Sequence, residues 1–148
     1  MSVITIDQAK LYLRIDDALD AGQEAELQSM IDASEAFIER KTGHILENAL
    51  RLYRKSADGC IRIYDTPVTA DLSSVDHEIK NGYILINNED SILVQVGYLT
   101  PEQIPQDLIN AALMMLKVWY YESEKQVNTS LIPEAVRQVI WNRKRFVI

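Results

Sequence analysis

Between Ile104-Pro105 and Tyr121 the chain carries a helical pattern with almost no polar face. Leu108, Ala111, Ala112, Met115 and Trp119 fall on one side of such a helix, and Ile109, Leu113, Leu116 and Tyr120 on another. A helix apolar nearly all round must be surrounded, so this one is predicted to be the central buried element or to lie between subunits. Pro105 stands where a helix begins without losing a needed donor. The stretch from Leu108 to Tyr121 is interrupted by Asn110 and Lys117 and is too short to cross a bilayer.

Other helices follow from caps and periodicity. Thr5-Ile6-Asp7-Gln8 has the form of a capping box, which predicts a short helix over about 6–14 that buries Ala9, Tyr12 and Leu13. Asp16 and Asp17 open a turn. From about Asp20 to Thr42, Leu27, Met30, Ile31, Ser34, Phe37 and Ile38 recur at helical spacing, and Gly43 sits where a left-handed cap belongs. After a polar connection over 122–132, Pro133 starts a last helix through Val136, Val139 and Ile140 to Trp141.

In the middle of the chain the period changes to two. Ala49 to Lys55 and Cys60 to Tyr64 flank Ala57-Asp58-Gly59 as a hairpin, with Leu50, Leu52, Ile61 and Ile63 expected on one apolar face. Asn81-Gly82 signals a second hairpin between 75–80 and 83–86. Ile92, Val94 and Val96 then alternate with Leu93 and Gln95. The expected fold is α+β and mainly α-helical: helices packed around a long central apolar helix, with a small antiparallel sheet inserted. We expect one domain over 1–148, with helices in 1–43, the β insertion in 44–99, and the central and C-terminal helices in 104–148. A chain of 148 residues is long enough to bury about two-thirds of its unfolded surface.

Charge and composition narrow the function. Residues 1–48 carry ten acidic against four basic side chains, whereas 101–148 carry five against six. A tight nucleic-acid binder needs a cationic surface, and only the short run Arg143, Lys144, Arg145 offers one. The single cysteine, Cys60, forms no internal disulfide, and the opening MSVITIDQAK lacks a secretory pattern, so a soluble cytoplasmic product is expected. Phosphate-loop, dinucleotide, HExxH and GxSxG signatures are absent. His44 and His77 are too few for a metal or catalytic cluster and read as surface or turn histidines, and a Cys60 and His77 nucleophile pair lacks an orienting third group. Asp16, Asp17, Asp20 and Glu24 lack the alternating ligands of a calcium loop and read as helix-start charges. No catalytic residue, metal or cofactor is expected.

The remaining candidates are contact residues. Met114, Met115, Trp119, Tyr120 and Tyr121 at helical spacing could line a ligand pocket, but such stripes are more often subunit interface or core. Trp141, Phe146, Val147 and Ile148 stand beside Arg143, Lys144 and Arg145 at a chain end, and aromatic residues with arginine are the types that anchor proteins to each other. A last helix folding back on its own domain is the alternative.

Several motifs carry a family resemblance. Ile6-Asp7-Gln8-Ala9-Lys10 through Tyr12-Leu13-Arg14-Ile15-Asp16, then Leu27, Met30-Ile31, Ala33, Ile38-Glu39 and Thr42-Gly43, resembles the N-terminal pattern of head-tail connector (adaptor, head completion) proteins of tailed bacteriophages. Ile61-Arg62-Ile63-Tyr64 with Thr66-Pro67-Val68 is similar to a strand and proline corner of longer members. Val96-Gly97-Tyr98, Ile104-Pro105, Leu108, Ala111-Ala112, Tyr120-Tyr121-Glu122 and Pro133-Glu134-Ala135-Val136 stand in the family's order. Glu122-Ser123-Glu124 departs from it, replacing an arginine.

The resemblance implies a structural adaptor without enzymatic activity. Such a protein forms a ring of about twelve subunits under the portal after DNA packaging, extends the DNA channel and joins head to tail. Its partners would be the portal protein, a head-closure (stopper) or tail-completion protein, and other copies of itself. Genomic DNA would pass through without sequence-specific binding, and no membrane is involved. The implied location is the virion neck, and the host cytoplasm during assembly. Trp141, Arg143, Lys144, Arg145, Phe146, Val147 and Ile148 would dock on the portal. A small DNA-binding or regulatory helical protein is the alternative, and a ligand-binding role would need a pocket around Trp119 and His77.

Overall fold

The computed structural model describes residues 2–71, 83–85, 90–125 and 131–144. Helix α1 (Ile6–Leu13) opens on the expected capping box: Thr5 Oγ1 accepts from Gln8 N at 3.2 Å, and Gln8 Oε1 accepts from Thr5 N at 3.0 Å. Helix α2 (Ala21–Thr42) opens on a second such box, in which Asp20 Oδ1 accepts from Gln23 N at 2.8 Å and Gln23 Oε1 accepts from Asp20 N. It ends at Gly43 in the left-handed conformation. The strands are β1 (Ala49–Arg54), β2 (Cys60–Arg62), β3 (Val68–Asp71), β4 (Tyr83–Leu85) and β5 (Ser91–Val96). A 3-10 turn at Pro101–Gln103 leads into α3 (Gln106–Lys125), and α4 (Glu134–Arg143) follows.

Two cores result. The helical core gathers Leu13 of α1, Leu27, Ile31 and Ile38 of α2, Leu108, Ala112 and Met115 of α3, and Val136 of α4. Helix α3 packs against each of the other three helices, and its buried positions at i, i+3, i+4 and i+7 are those its periodicity marked. The second core is Ile45, Ile61, Ile63, Ile92, Val94 and Val96, closed by Tyr53 and Val68.

Strand pairing departs from expectation. The chain does reverse at Ala57-Asp58-Gly59, where Ser56 N donates to Cys60 O at 2.8 Å. Yet β1 pairs along its length with β5, β5 with β3, and β2 with β4, all antiparallel. Leu50 and Leu52 do not share a face with Ile61 and Ile63: each leucine is 57% exposed, and both isoleucines are fully buried. The reason lies in the register. Ala49, Arg51 and Tyr53 stand opposite Val96, Val94 and Ile92, and that side covers the core, so the leucines face outward. The hairpin segment 75–80 and its Asn81-Gly82 turn lie outside the described residues, and Tyr83–Leu85 pairs with β2.

The sheet is fastened to the end of α2 by backbone bonds. Thr66 N donates to Gly43 O at 2.8 Å, Ile45 N to Thr66 O at 2.9 Å, and Gly97 N to Pro67 O at 2.8 Å. Asn48 Nδ2 reaches both Thr69 Oγ1 and Gly97 O, and its own oxygen accepts from Gln95 Nε2. Tyr53 gives its hydroxyl to Asp65 Oδ2 at 2.6 Å, and burial with that carboxylate pushes the phenol well above its ordinary pKa.

Candidate functional site

The C-terminal helix is held by one polar clamp and an apolar seam. Val136 is fully buried, and Val139 and Ile140 pack on the helical core. At its last residue, Arg143 grips Asp107, Nε to Oδ2 at 2.8 Å and Nη2 to Oδ1 at 3.1 Å. Asp107 lies in the first turn of α3, where its carboxylate also accepts from Leu108 N and faces the positive end of the helix dipole. Bidentate geometry makes this the best-formed ion pair among the described residues. Trp141, on the opposite side of α4 from Val136, is 75% exposed. Lys144 ends the described helix, and Arg145, Phe146, Val147 and Ile148 lie outside the described residues.

The aromatic and methionine positions of α3 sit in or against the helical core. Met115 is buried, while Met114, Trp119 and Tyr120 are half-buried. Trp119 meets Phe37 of α2 edge-on, with ring centroids 5.8 Å apart, and Tyr120 meets Tyr121 in the same manner at 5.4 Å. Tyr121 donates its hydroxyl to Leu13 O at 2.7 Å, stitching α3 to the end of α1.

Two clefts flank the helices. One of about 450 Å³ is acidic, lined by Asp32, Glu35 and Glu39 of α2 with Glu47, Ser2 and Gln28. Glu35 accepts from Ile4 N at 2.6 Å and Glu39 from Leu46 N at 2.8 Å, so both carboxylates serve as anchors for neighbouring backbone. Burial raises both of their pKa values despite those bonds. The other cleft, about 530 Å³ between α1 and α3, has Leu11, Tyr12, Ile109 and Leu113 on its walls and Arg14 and Lys117 at its rim. Leu11 is 82% exposed there.

The titratable candidates resolve into structural roles. His44 is half-buried rather than a plain surface histidine: its Nδ1 lies 2.8 Å from the Tyr98 hydroxyl, and the two rings are parallel with centroids 6.2 Å apart. Asp20 is the cap of α2, and Asp16 and Asp17 are exposed in the turn before it. Cys60 is half-buried in β2, and His77 lies outside the described residues. Among the described residues no three His, Cys, Asp or Glu side chains are grouped to hold a metal, and no helix is long and apolar enough to cross a membrane. Sequence reading missed the Arg143–Asp107 clamp; the acidic residue in the first turn of α3 and the arginine in the last turn of α4 were its only signals.

No protein-family model matches the chain, and no curated protein sequence matches it. Solved structures do. A chain in the virion of a native gene transfer agent (GTA) particle superposes with a TM-score of 0.72 at 16% identity, covering 99% of this chain and 91% of that one. A chain in the neck of an empty GTA particle, computed with C6 symmetry, gives 0.69 at 17% identity over 99% and 91%. A third, in the neck of a native GTA particle computed with C12 symmetry, gives 0.65 at 17% identity over 98% and 94%. The whole fold, sheet insertion included, is therefore one found in the neck of a gene transfer agent.

Proposed function

We propose that the chain is a structural connector of a phage-like neck, without catalytic group or cofactor. The observation that carries this reading is the shared fold over nearly the entire length of chains in necks computed with C6 and C12 symmetry. In this reading copies of the chain close into a ring of about twelve, as the C12 symmetry of one related neck suggests. The ring sits under the portal after packaging, extends the DNA channel and passes the join to a stopper or tail-completion protein. The chain folds as one domain around α3, whose Met114, Trp119 and Tyr120 keep surface for neighbours. The acidic balance of residues 1–48 suits a passage that must not hold a duplex. Assembly would occur in the host cytoplasm, and no membrane takes part.

Portal docking falls to the C-terminal segment. Trp141, the most exposed aromatic side chain among the described residues, lies beside Lys144, and Arg145, Phe146, Val147 and Ile148 extend the same anchor. Arg143, already clamped on Asp107, positions α4 so that Trp141 faces outward. The test is co-sedimentation with a portal protein of the particle in which this chain is found, using the full chain and a truncation lacking residues 141–148. We expect the full chain to bind, and the truncation to lose binding while its α1–α3 helical signal remains. Failure of the full chain to bind portal, or binding by the truncation equal to it, would refute the docking. Absence of the chain from the neck of purified particles would refute the connector reading itself.

A further inference from the structure

We infer that the outer face of the β1-β5-β3 sheet is the surface on which a second copy of this chain packs, receiving the exposed side of that copy's α2. The inference rests on the ring reading above and names one of the two faces such a ring requires. Register fixes which residues share the outer face: Leu50 stands opposite Gln95, Leu52 opposite Leu93, and Arg54 opposite Ser91. Leu50 and Leu52 are each 57% exposed and Leu93 is 38% exposed. Directly paired side chains on one face touch, and residues two apart are next neighbours, so the three leucines form one continuous patch. An antiparallel sheet with one solvated face ordinarily carries polar residues there. A contiguous apolar patch on a rigid ladder instead marks a contact surface.

Its own α2 does not cover it. Arg51 lies on the inner side of β1, and its charge acts on Glu39 in the C-terminal half of α2. By alternation Leu50, Leu52 and Arg54 face away from that helix. Charge then selects the occupant. Arg54 ends the leucine row, exposed and without a carboxylate partner among the described residues. The chain's own exposed surface of α2 offers what this patch lacks. Glu26, Ser29, Asp32, Ala33 and Ala36 all lie exposed on it, with small side chains that leave leucines room to seat and two carboxylates of the sign a guanidinium needs, Asp32 also accepting from Gln28 Nε2 at 2.8 Å. Opposite charges flanking an apolar contact set its register. Because the two faces are different surfaces of one chain, the contact is heterologous and can close into a ring.

The experiment is light scattering of the full chain over a wide concentration range, with Leu52→Gln/Leu93→Gln, Arg54→Glu, Asp32→Arg and the combined Arg54→Glu/Asp32→Arg. All four alter exposed side chains, and circular dichroism spectra equal to that of the wild type, taken at a concentration where every form is monomeric, verify their folds. The wild type is expected to self-associate. The leucine pair and each single charge reversal should weaken association roughly tenfold or more, and the combined reversal should recover it, as a direct pair requires. A wild type that stays monomeric throughout, variants that associate like the wild type, or a combined reversal that recovers nothing would each overturn the inference. Portal binding by the wild type is read separately. If it persists while the interface test fails, the ring reading survives and this face is released to another neck protein.

Discussion

Substitution of Gly97 by alanine should be among the most damaging single changes outside the helical core, and Gly59 supplies its control. Both glycines have positive φ, 99° at Gly97 and 84° at Gly59. Placing an L side chain in the left-handed region costs about 1–2 kcal/mol at either position. The surroundings differ. At Gly97 an added Cβ would stand 2.6 Å from the Glu47 carbonyl oxygen and 3.0 Å from Asn48 Cα, whereas at Gly59 its nearest neighbour is the flexible Lys55 side chain at 4.0 Å. Both close contacts at Gly97 are backbone, so the β5 end must shift away from the segment that joins α2 to β1. A forced shift of packed backbone adds roughly 1–3 kcal/mol. We therefore expect Gly97→Ala to cost about 2–5 kcal/mol and Gly59→Ala about 1–2 kcal/mol. Urea unfolding followed by circular dichroism measures both. Equal costs at the two positions would refute the argument that close approach, rather than backbone angle, makes Gly97 necessary.

Two further perturbations probe the carboxylate anchor and the C-terminal clamp. Burial raises the pKa of Glu35, so the folded chain holds that proton more tightly than the unfolded one; the resulting stabilisation is present below the ordinary carboxylate range and lost as pH rises through the raised value. Stability of the wild type relative to Glu35→Gln, which keeps an acceptor for Ile4 N, should accordingly rise as pH falls from 7 toward 4, and a pH-independent difference would contradict it. Arg143→Ala removes a bidentate pair whose side chains are 37% and 38% exposed, so solvent screening limits the loss to about 0.5–1 kcal/mol at low ionic strength. Most of that difference should vanish in 1 M salt, and a salt-independent loss above about 3 kcal/mol would show that the clamp is not solvent-screened.

The helices were legible because their signals are local. Thr5 with Gln8 caps α1 within four residues, Gly43 ends α2 at its last turn, and the apolar spacing of α3 needs no knowledge of what surrounds it. The sheet was legible only in part. In Ala49–Arg54 two alternating sets were available, and Leu50 with Leu52 is the more apolar of them. The inner side went to Ala49, Arg51 and Tyr53, of which Ala49 and Tyr53 are half-buried and Arg51 stays exposed, because the partner strand is β5, some forty residues on, whose Ile92, Val94 and Val96 are buried. Tertiary pairing of this kind overrides a local pattern. The same holds for the site. His44 meets Tyr98 across 54 residues and Arg143 meets Asp107 across 36, and no short-range rule connects such positions. What the order of short motifs did carry was a resemblance to connector proteins, and the structure has the fold of chains found in a neck.

That fold persists at 16–17% identity over nearly the whole chain, which shows what specifies it. Helices α2 and α3 need apolar residues at the right period, and cores accept many volume-conserving exchanges while the pattern is kept. Ala111 and Ala112 ask only for smallness where α3 meets its neighbours, and Gly97 asks only for the absence of a side chain. A structural connector has no reacting atoms to hold within a fraction of an ångström, so the proposed role adds few fixed residues of its own. Its requirements fall instead on surface complementarity. Leu50, Leu52, Leu93 and Trp141 are exposed, and much of their apolar bulk meets solvent in the chain alone. In a monomer such residues would be a liability, inviting unspecific association. In the ring proposed above, which would pack against itself and hold a portal, partner choice would reside in them, so reversing Arg54 or trimming these leucines should change what the chain assembles with while the monomer keeps its fold.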